Sequence, residues 1–171
     1  MNKRTMAEMN SLSRDEFVRM AGPVFEHSPW IAEVTWAKRP FTNLEHLHRE
    51  LCETVRKSGT EKQLALIRAH PDLVGRLAQT GQLTKESANE QASAGLNHLT
   101  ANEIHLFQKN NAAYQEKFGF PFIICARLNK KEAILAGFQH RLPNSREQEM
   151  KTALEEIFKI AELRLRDLIA H

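Results

Sequence analysis

At four places along this chain a serine or threonine, followed three residues later by glutamate or glutamine, leads into an apolar helical pattern: Ser13 and Glu16, Thr42 and Glu45, Thr100 and Glu103, Ser145 and Gln148. That spacing marks a helix start, because the hydroxyl can accept the N3 amide while the N3 side chain reaches back to the cap amide. Apolar residues at helical spacing follow. The first start leads into Phe17, Met20 and Ala21, and the second into Leu44, Leu47, Leu51 and Val55. The third passes through Leu106, Phe107, Asn110 and Tyr114, and the fourth into Leu154, Ile157, Phe158, Ala161, Leu165 and Leu168. Ser28-Pro29 opens another helix, with Ile31 and Val34 on its face, and Thr60 and Thr84 open two more. Stops stand at Gly22-Pro23, Ser58-Gly59, Gly119 and Pro143. The pattern predicts an all-α protein, with one uncertain stretch where Ile123-Ile124-Cys125 has the β-branching of a short strand. No repeat, linker or low-complexity tract divides residues 1–171, so the expectation is one domain, with polar residues 1–12 frayed.

Composition removes several function classes. A length of 171 residues and 42% hydrophobic content suffice for a packed core without disulfide or metal staples. The formal charge of +3 is spread among interspersed acids and bases, without the like-charge block of a nucleic-acid-binding tail. No apolar run reaches membrane-span length, and the first residues lack the apolar core of a signal peptide. Two cysteines, Cys52 and Cys125, show no metal-ligand spacing. His46 and His48 fall on different helical faces, so no zinc motif forms there. The expectation is a cytoplasmic protein without metal, nucleic-acid partner or membrane contact. A small anionic substrate would not be repelled.

Three blocks carry chemistry. In Ala69-His70-Pro71-Asp72-Leu73, Pro71 disfavours helix at His70, so a helix should end there with the imidazole beside its last carbonyls. Those carbonyls and the helix dipole favour the protonated ring, which suits a proton donor or a cation held against a carboxylate. A plain C-terminal cap would use the same residue. Ser87, Glu90 and Gln91 lie at i, i+3 and i+4, hence on one helical face. They border a stripe of Ala88, Ala92, Gly95, Leu96 and Leu99, where either a pocket wall or a solvated face would lie. Gly119-Phe120-Pro121-Phe122-Ile123-Ile124-Cys125-Ala126 is an apolar turn whose backbone amides could line a pocket. Arg164 stands at the border of the last apolar stripe, from which it could fork onto a carboxylate or snorkel to solvent. Arg141 is a candidate of the same kind. Cys125, in apolar surroundings, reads as a buried inert thiol.

Taken in order, Ala69-His70-Pro71-Asp72-Leu73, Ser87-x-x-Glu90-Gln91, Leu99-Thr100-x-x-Glu103, Tyr114-x-x-Lys117-Phe118-Gly119-Phe120-Pro121-Phe122, Lys159-Ile160-Ala161 and Arg164-Leu165 resemble the 2-oxo-4-hydroxy-4-carboxy-5-ureidoimidazoline (OHCU) decarboxylases. The likeness spans nearly the whole chain. It implies an all-α homodimer without metal or organic cofactor, which releases CO2 from the product of hydroxyisourate hydrolysis to give (S)-allantoin. It further implies His70 as catalytic histidine, Glu90 as its carboxylate partner and Arg164 as the active-site arginine. Ser87 and Gln91 would contact substrate, and Pro71 with the Phe122, Ile123, Ile124, Cys125 and Ala126 backbone would form pocket wall. A C-terminus without a peroxisomal Ser-Lys-Leu address departs from the animal and plant members and implies a bacterial, cytoplasmic enzyme. Two rival readings are a Cys125–His70 hydrolase and a co-chaperone module built on His70-Pro71-Asp72, a tripeptide shared with J-domains.

Overall fold

The helices begin where hydroxyl and amide side chains can take up unpaired amides. The computed structural model describes residues 3–170, apart from the side chain of Leu77. Ten α-helices and two single 3-10 turns occur among the described residues, with no strand beyond an isolated bridge of Arg4 to Ile169. The chain divides into two compact units, Met1–Ala69 with Phe158–His171, and His70–Ile157.

The first unit holds α1 (Met6–Ser11), α2 (Arg14–Ala21), α3 (Trp30–Trp36), α4 (Leu44–Arg56), α5 (Thr60–Ala69) and the last turns of α10 (Arg146–Leu168). Its core joins Phe17, Phe25, Ile31, Leu47, Leu51, Ile67 and Leu165, all essentially without solvent exposure. Residues 6–11 form a helix where fraying was expected. Thr5 and Glu8 make a reciprocal capping box. Met9 is fully buried, and the Asn10 side chain exchanges two 2.8 Å hydrogen bonds with the Phe41 backbone. The periodicity of a six-residue helix is too short to show in sequence, whereas its cap and its long-range partners hold it. Two further corrections follow from local competition. Asn43, rather than Thr42, caps α4, because its side chain accepts the His46 amide while His46 Nδ1 takes the Thr42 amide. In α3, Val34 is exposed and Thr35 buried, since the Thr35 hydroxyl finds Ile31 O and Thr54 Oγ1.

The second unit holds α6 (Arg76–Gln79), α7 (Lys85–Ser93), α8 (Ala101–Phe118), α9 (Lys131–Arg141) and the first turns of α10. Its centre is an aromatic cluster of Phe107, Tyr114, Phe118, Phe120, Phe122 and Phe138, in which Phe122 and Phe138 stack at 3.9 Å. Gly119 ends α8 at φ 76, a left-handed conformation that costs glycine nothing. Residues 120–125 then run as irregular chain into a 3-10 turn at Ala126–Leu128, so the short strand considered for Ile123-Ile124-Cys125 does not form. Edge-strand pairing has no partner here. Instead Arg141 donates to Ile123 O at 2.6 Å and lies over the Phe122 ring at 4.2 Å. The same guanidinium meets Glu149 at 2.8 Å, and Glu149 accepts Tyr114 Oη at 2.5 Å and Asn144 at 3.0 Å. Burial and the Glu149 bond push the Tyr114 phenol upward, so it stays a donor. Tyr114→Phe should therefore destabilise the fold by about 1–3 kcal/mol, the cost of leaving a buried acceptor short of its partner. Urea unfolding would measure it, and a midpoint unchanged from wild type would place the load elsewhere in the network.

Candidate active site

Helix α5 ends at Ala69, one residue before His70, as Pro71 requires. His70 is buried and Pro71 and Asp72 are half-buried, which does not suit a solvent-facing cap. The chain then turns sharply. Val74 has φ 54, a conformation that a β-branched residue adopts at a cost of about 1–3 kcal/mol. Gly75 closes the turn, and a Cβ there would stand 2.7 Å from Asp72 Cβ.

What holds this turn is α7, whose polar face takes the buried of the two positions that the sequence left open. Ser87, Glu90 and Gln91 are its buried residues, while Ala88 and Ala92 of the expected apolar stripe face solvent and Leu96 of that stripe is buried. Alanine methyls offer little driving force, on the order of 0.8 kcal/mol per CH2-sized group. Hydrogen bonds decide instead. Gln91 Oε1 accepts the Val74 amide at 3.0 Å, and its Nε2 donates to Asp72 O at 3.4 Å. Thr84 caps the start of α7 by accepting the Ser87 amide, and Lys130 donates to Ser93 O at its end. A helix that buries serine, glutamate and glutamine together is uncommon, because each needs compensation for lost water.

The third wall is the 122–128 segment, against which α7 packs through the 3-10 turn. Phe122, Ile123, Cys125 and Ala126 are buried and Ile124 is half-buried. The Cys125 amide donates to Glu156 at 2.8 Å, so this wall amide is engaged within the protein. Glu90 and Glu156 both exert their charge on Cys125, and burial pushes its thiol upward. A thiol held protonated is a poor nucleophile, which weakens the Cys125–His70 hydrolase.

The second unit thus brings together His70, Pro71, Ser87, Glu90, Gln91 and the 122–126 wall. Arg164 belongs to the first unit. It is buried there with Glu26, 3.0 Å away, and also donates to Pro23 O at 3.1 Å. It does not snorkel. Arg141, the other candidate, belongs to the Glu149–Tyr114 network. Among the described residues no cluster of three His, Cys, Asp or Glu side chains has metal-binding geometry.

Four buried polar residues of the chain, Asn111, Glu149, Glu156 and Glu26, escaped the sequence reading. Asn111, not Asn110, lies on the buried stripe of α8 with Phe107, Tyr114 and Phe118, and donates to Leu73 O at 2.8 Å. Glu149 and Glu156 share the spacing of Ala153 and Ile160 on α10. Polar residues repeating in register with an apolar stripe were the available signal. Glu26, in a loop, offered none.

Asp72 Oδ1 is buried without a hydrogen bond among the described residues, and burial raises its carboxyl above the ordinary 3.8. An acid raised in the fold favours the native state fully below its unfolded pKa, and that advantage is lost as pH rises through the folded pKa. Asp72→Asn should therefore raise Tm at pH 7, with the gain shrinking as pH falls toward 4. A gain independent of pH would show that ionisation is not the cause.

Comparison with known proteins places these features in context. The OHCU decarboxylase family profile matches residues 10–166. A 2-oxo-4-hydroxy-4-carboxy-5-ureidoimidazoline decarboxylase of Amia calva is 44% identical over 164 residues, covering 96% of this chain and 94% of its own. The Mus musculus protein of the same name is 40% identical, over 96% of this chain and 92% of its own. A crystal structure of (S)-allantoin synthase superposes with a TM-score of 0.78 at 29% identity. It matches 98% of this chain, which spans about half (54%) of that longer one.

Proposed function

The chain belongs to the OHCU decarboxylase family, and on that premise we propose that it decarboxylates 2-oxo-4-hydroxy-4-carboxy-5-ureidoimidazoline to (S)-allantoin and CO2, the last step of urate degradation to allantoin. The observation that carries the assignment of the site is the inward-turned polar face of α7, whose Gln91 is bonded to the turn that follows His70.

The substrate's own structure supplies the electron sink. As the bond from C4 to the carboxylate breaks, its electron pair forms a C4–C5 double bond and the C5=N pair moves to nitrogen, which takes up a proton. The hydroxyl on C4 then loses its proton as C5 gains one, and the ring lactam carbonyl of allantoin results. No metal or organic cofactor is needed for this sequence. The protein's task is to orient the carboxylate, handle the hydroxyl proton and protonate one face of C5.

His70 is the proton-handling group and Glu90 the carboxylate that orients it. Both are buried, so that their interactions are little diluted by water. Ser87 offers a hydroxyl. Gln91 keeps one amide hydrogen beyond the one directed at Asp72 O, and that hydrogen is assigned to the ureido group. Pro71 and the Phe122–Ala126 segment form the wall. Arg164, buried in the first unit as a cation held by Glu26 and Pro23 O, is kept as the active-site arginine that the family resemblance implies. The active form is a homodimer that works in the cytoplasm. No helix among the described residues is long and apolar enough to cross a membrane.

His70→Ala and His70→Asn should abolish acceleration of CO2 release while the helical circular dichroism is kept. Glu90→Gln preserves shape but not charge. It should lower kcat by about 10²-fold or more with KM changed far less, the pattern of an interaction made in the transition state. Glu86→Gln, one turn earlier and less buried, is the control and should stay within about twofold of wild type, the range of an ordinary surface substitution. Equal behaviour of the two glutamate variants would remove Glu90 from the mechanism. Chelators should leave turnover unchanged, and activity restored by one added metal would contradict the cofactor-free reading.

A further inference from the structure

Between His70 and α6 the chain has little freedom. Pro71 has its φ fixed by its ring, Val74 is held in the left-handed region, and Leu73 and Val74 are buried. The backbone groups of this turn are tied down by two side-chain amides from different helices. Gln91 of α7 takes the Val74 amide and Asp72 O. Asn111 of α8 donates to Leu73 O at 2.8 Å and is itself buried among Phe107, Tyr114 and Phe118. Gln91 falls within the family-derived site, but Asn111 has no part in it.

We propose that Asn111 is a positioning residue for His70, acting through the Leu73 carbonyl to hold the His70-Pro71 turn against the strain at Val74. The proposal rests on the reading of His70 as the catalytic histidine. A rigid connection of three residues separates the held carbonyl from His70, so releasing Leu73 lets the strained turn relax and carries the imidazole with it. Displacement of a catalytic group by about 1 Å can cost on the order of 10²-fold in rate. Substrate affinity, set by the wall and by the other contacts, should change little. A merely structural asparagine would lower stability without this separation of kcat from KM.

The strain gives an independent handle. Glycine adopts positive φ without penalty, so Val74→Gly removes the force that Asn111 opposes. The experiment measures kcat, KM and helical circular dichroism for Asn111→Ser, which falls short of Leu73 O, and for Asn111→Leu, which keeps the shape but cannot donate. Each is made alone and with Val74→Gly, and His70→Ala is assayed beside them. The expected result is a kcat reduced about tenfold or more, with KM within about twofold, and recovery of at least half of the logarithmic loss on adding Val74→Gly. Wild-type kcat in the folded Asn111 variants, beside an inactive His70→Ala, would overturn the proposal and leave the role of His70 intact. A loss that Val74→Gly does not reduce would overturn it as well. So would variants that stay unfolded even with Val74→Gly, because Asn111 would then be a requirement of the fold. An active His70→Ala would instead strike the reading on which the proposal stands.

Discussion

The bond from the Val74 amide to Gln91 Oε1 is the constraint on which the proposed site depends. It joins the turn after His70 to the helix that carries Ser87 and Glu90, and it does so inside the protein. A valine at positive φ costs about 1–3 kcal/mol, whereas a buried amide hydrogen bond contributes about 0.5–1.5 kcal/mol net. The bonds from Gln91 and Asn111 are therefore of the size needed to offset the strain. Loss of Asn111 would take from Leu73 O, and loss of Gln91 from the Val74 amide, a buried hydrogen-bond partner, at about 1–3 kcal/mol each. The turn is consequently held by polar contacts in a region where apolar packing alone would not select its conformation.

The same balance explains what was legible in the sequence. Helix starts at Ser13, Thr84, Thr100 and Ser145 read correctly because capping depends on residues three positions apart, as does the stop at Gly119. The His70 helix end follows from Pro71 alone. The orientation of α7 was illegible, because Lys85–Ser93 contains no large apolar residue and its face is chosen by Gln91 finding partners seventeen and nineteen residues away. Helix α1 escaped for a related reason, since Asn10 is held by the Phe41 backbone 31 residues on. The blocks His70-Pro71, Ser87-x-x-Glu90-Gln91 and 122–126 were nonetheless picked out, and the second unit assembles them. Arg164 and Arg141 looked alike as border arginines. They differ in what they meet: a buried Glu26 for the first, a Tyr114–Glu149 network beneath the 122–123 wall for the second.

The chemistry asks for little machinery and much placement. The substrate carries its own electron sink, so rate and stereochemistry depend on where the carboxylate, the hydroxyl and the incoming proton are held. Buried polar groups fixed by second bonds serve that end, because they need no reorganisation as charge develops. Gln91, Asn111, Glu156 and Glu149 each secure a backbone or side-chain group beside the proposed site, and each is buried. Control over the face of C5 that is protonated is the function least open to substitution by solvent.

That control can be read directly from the handedness of the product. Substrate generated freshly from hydroxyisourate would be followed by circular dichroism at the allantoin bands, with the protein, without it, and with His70→Ala. The account predicts a growing signal of the (S) enantiomer with the wild-type protein, and product without net ellipticity in the other two samples. Racemic allantoin formed at the uncatalysed rate in the presence of the folded wild-type protein would contradict it.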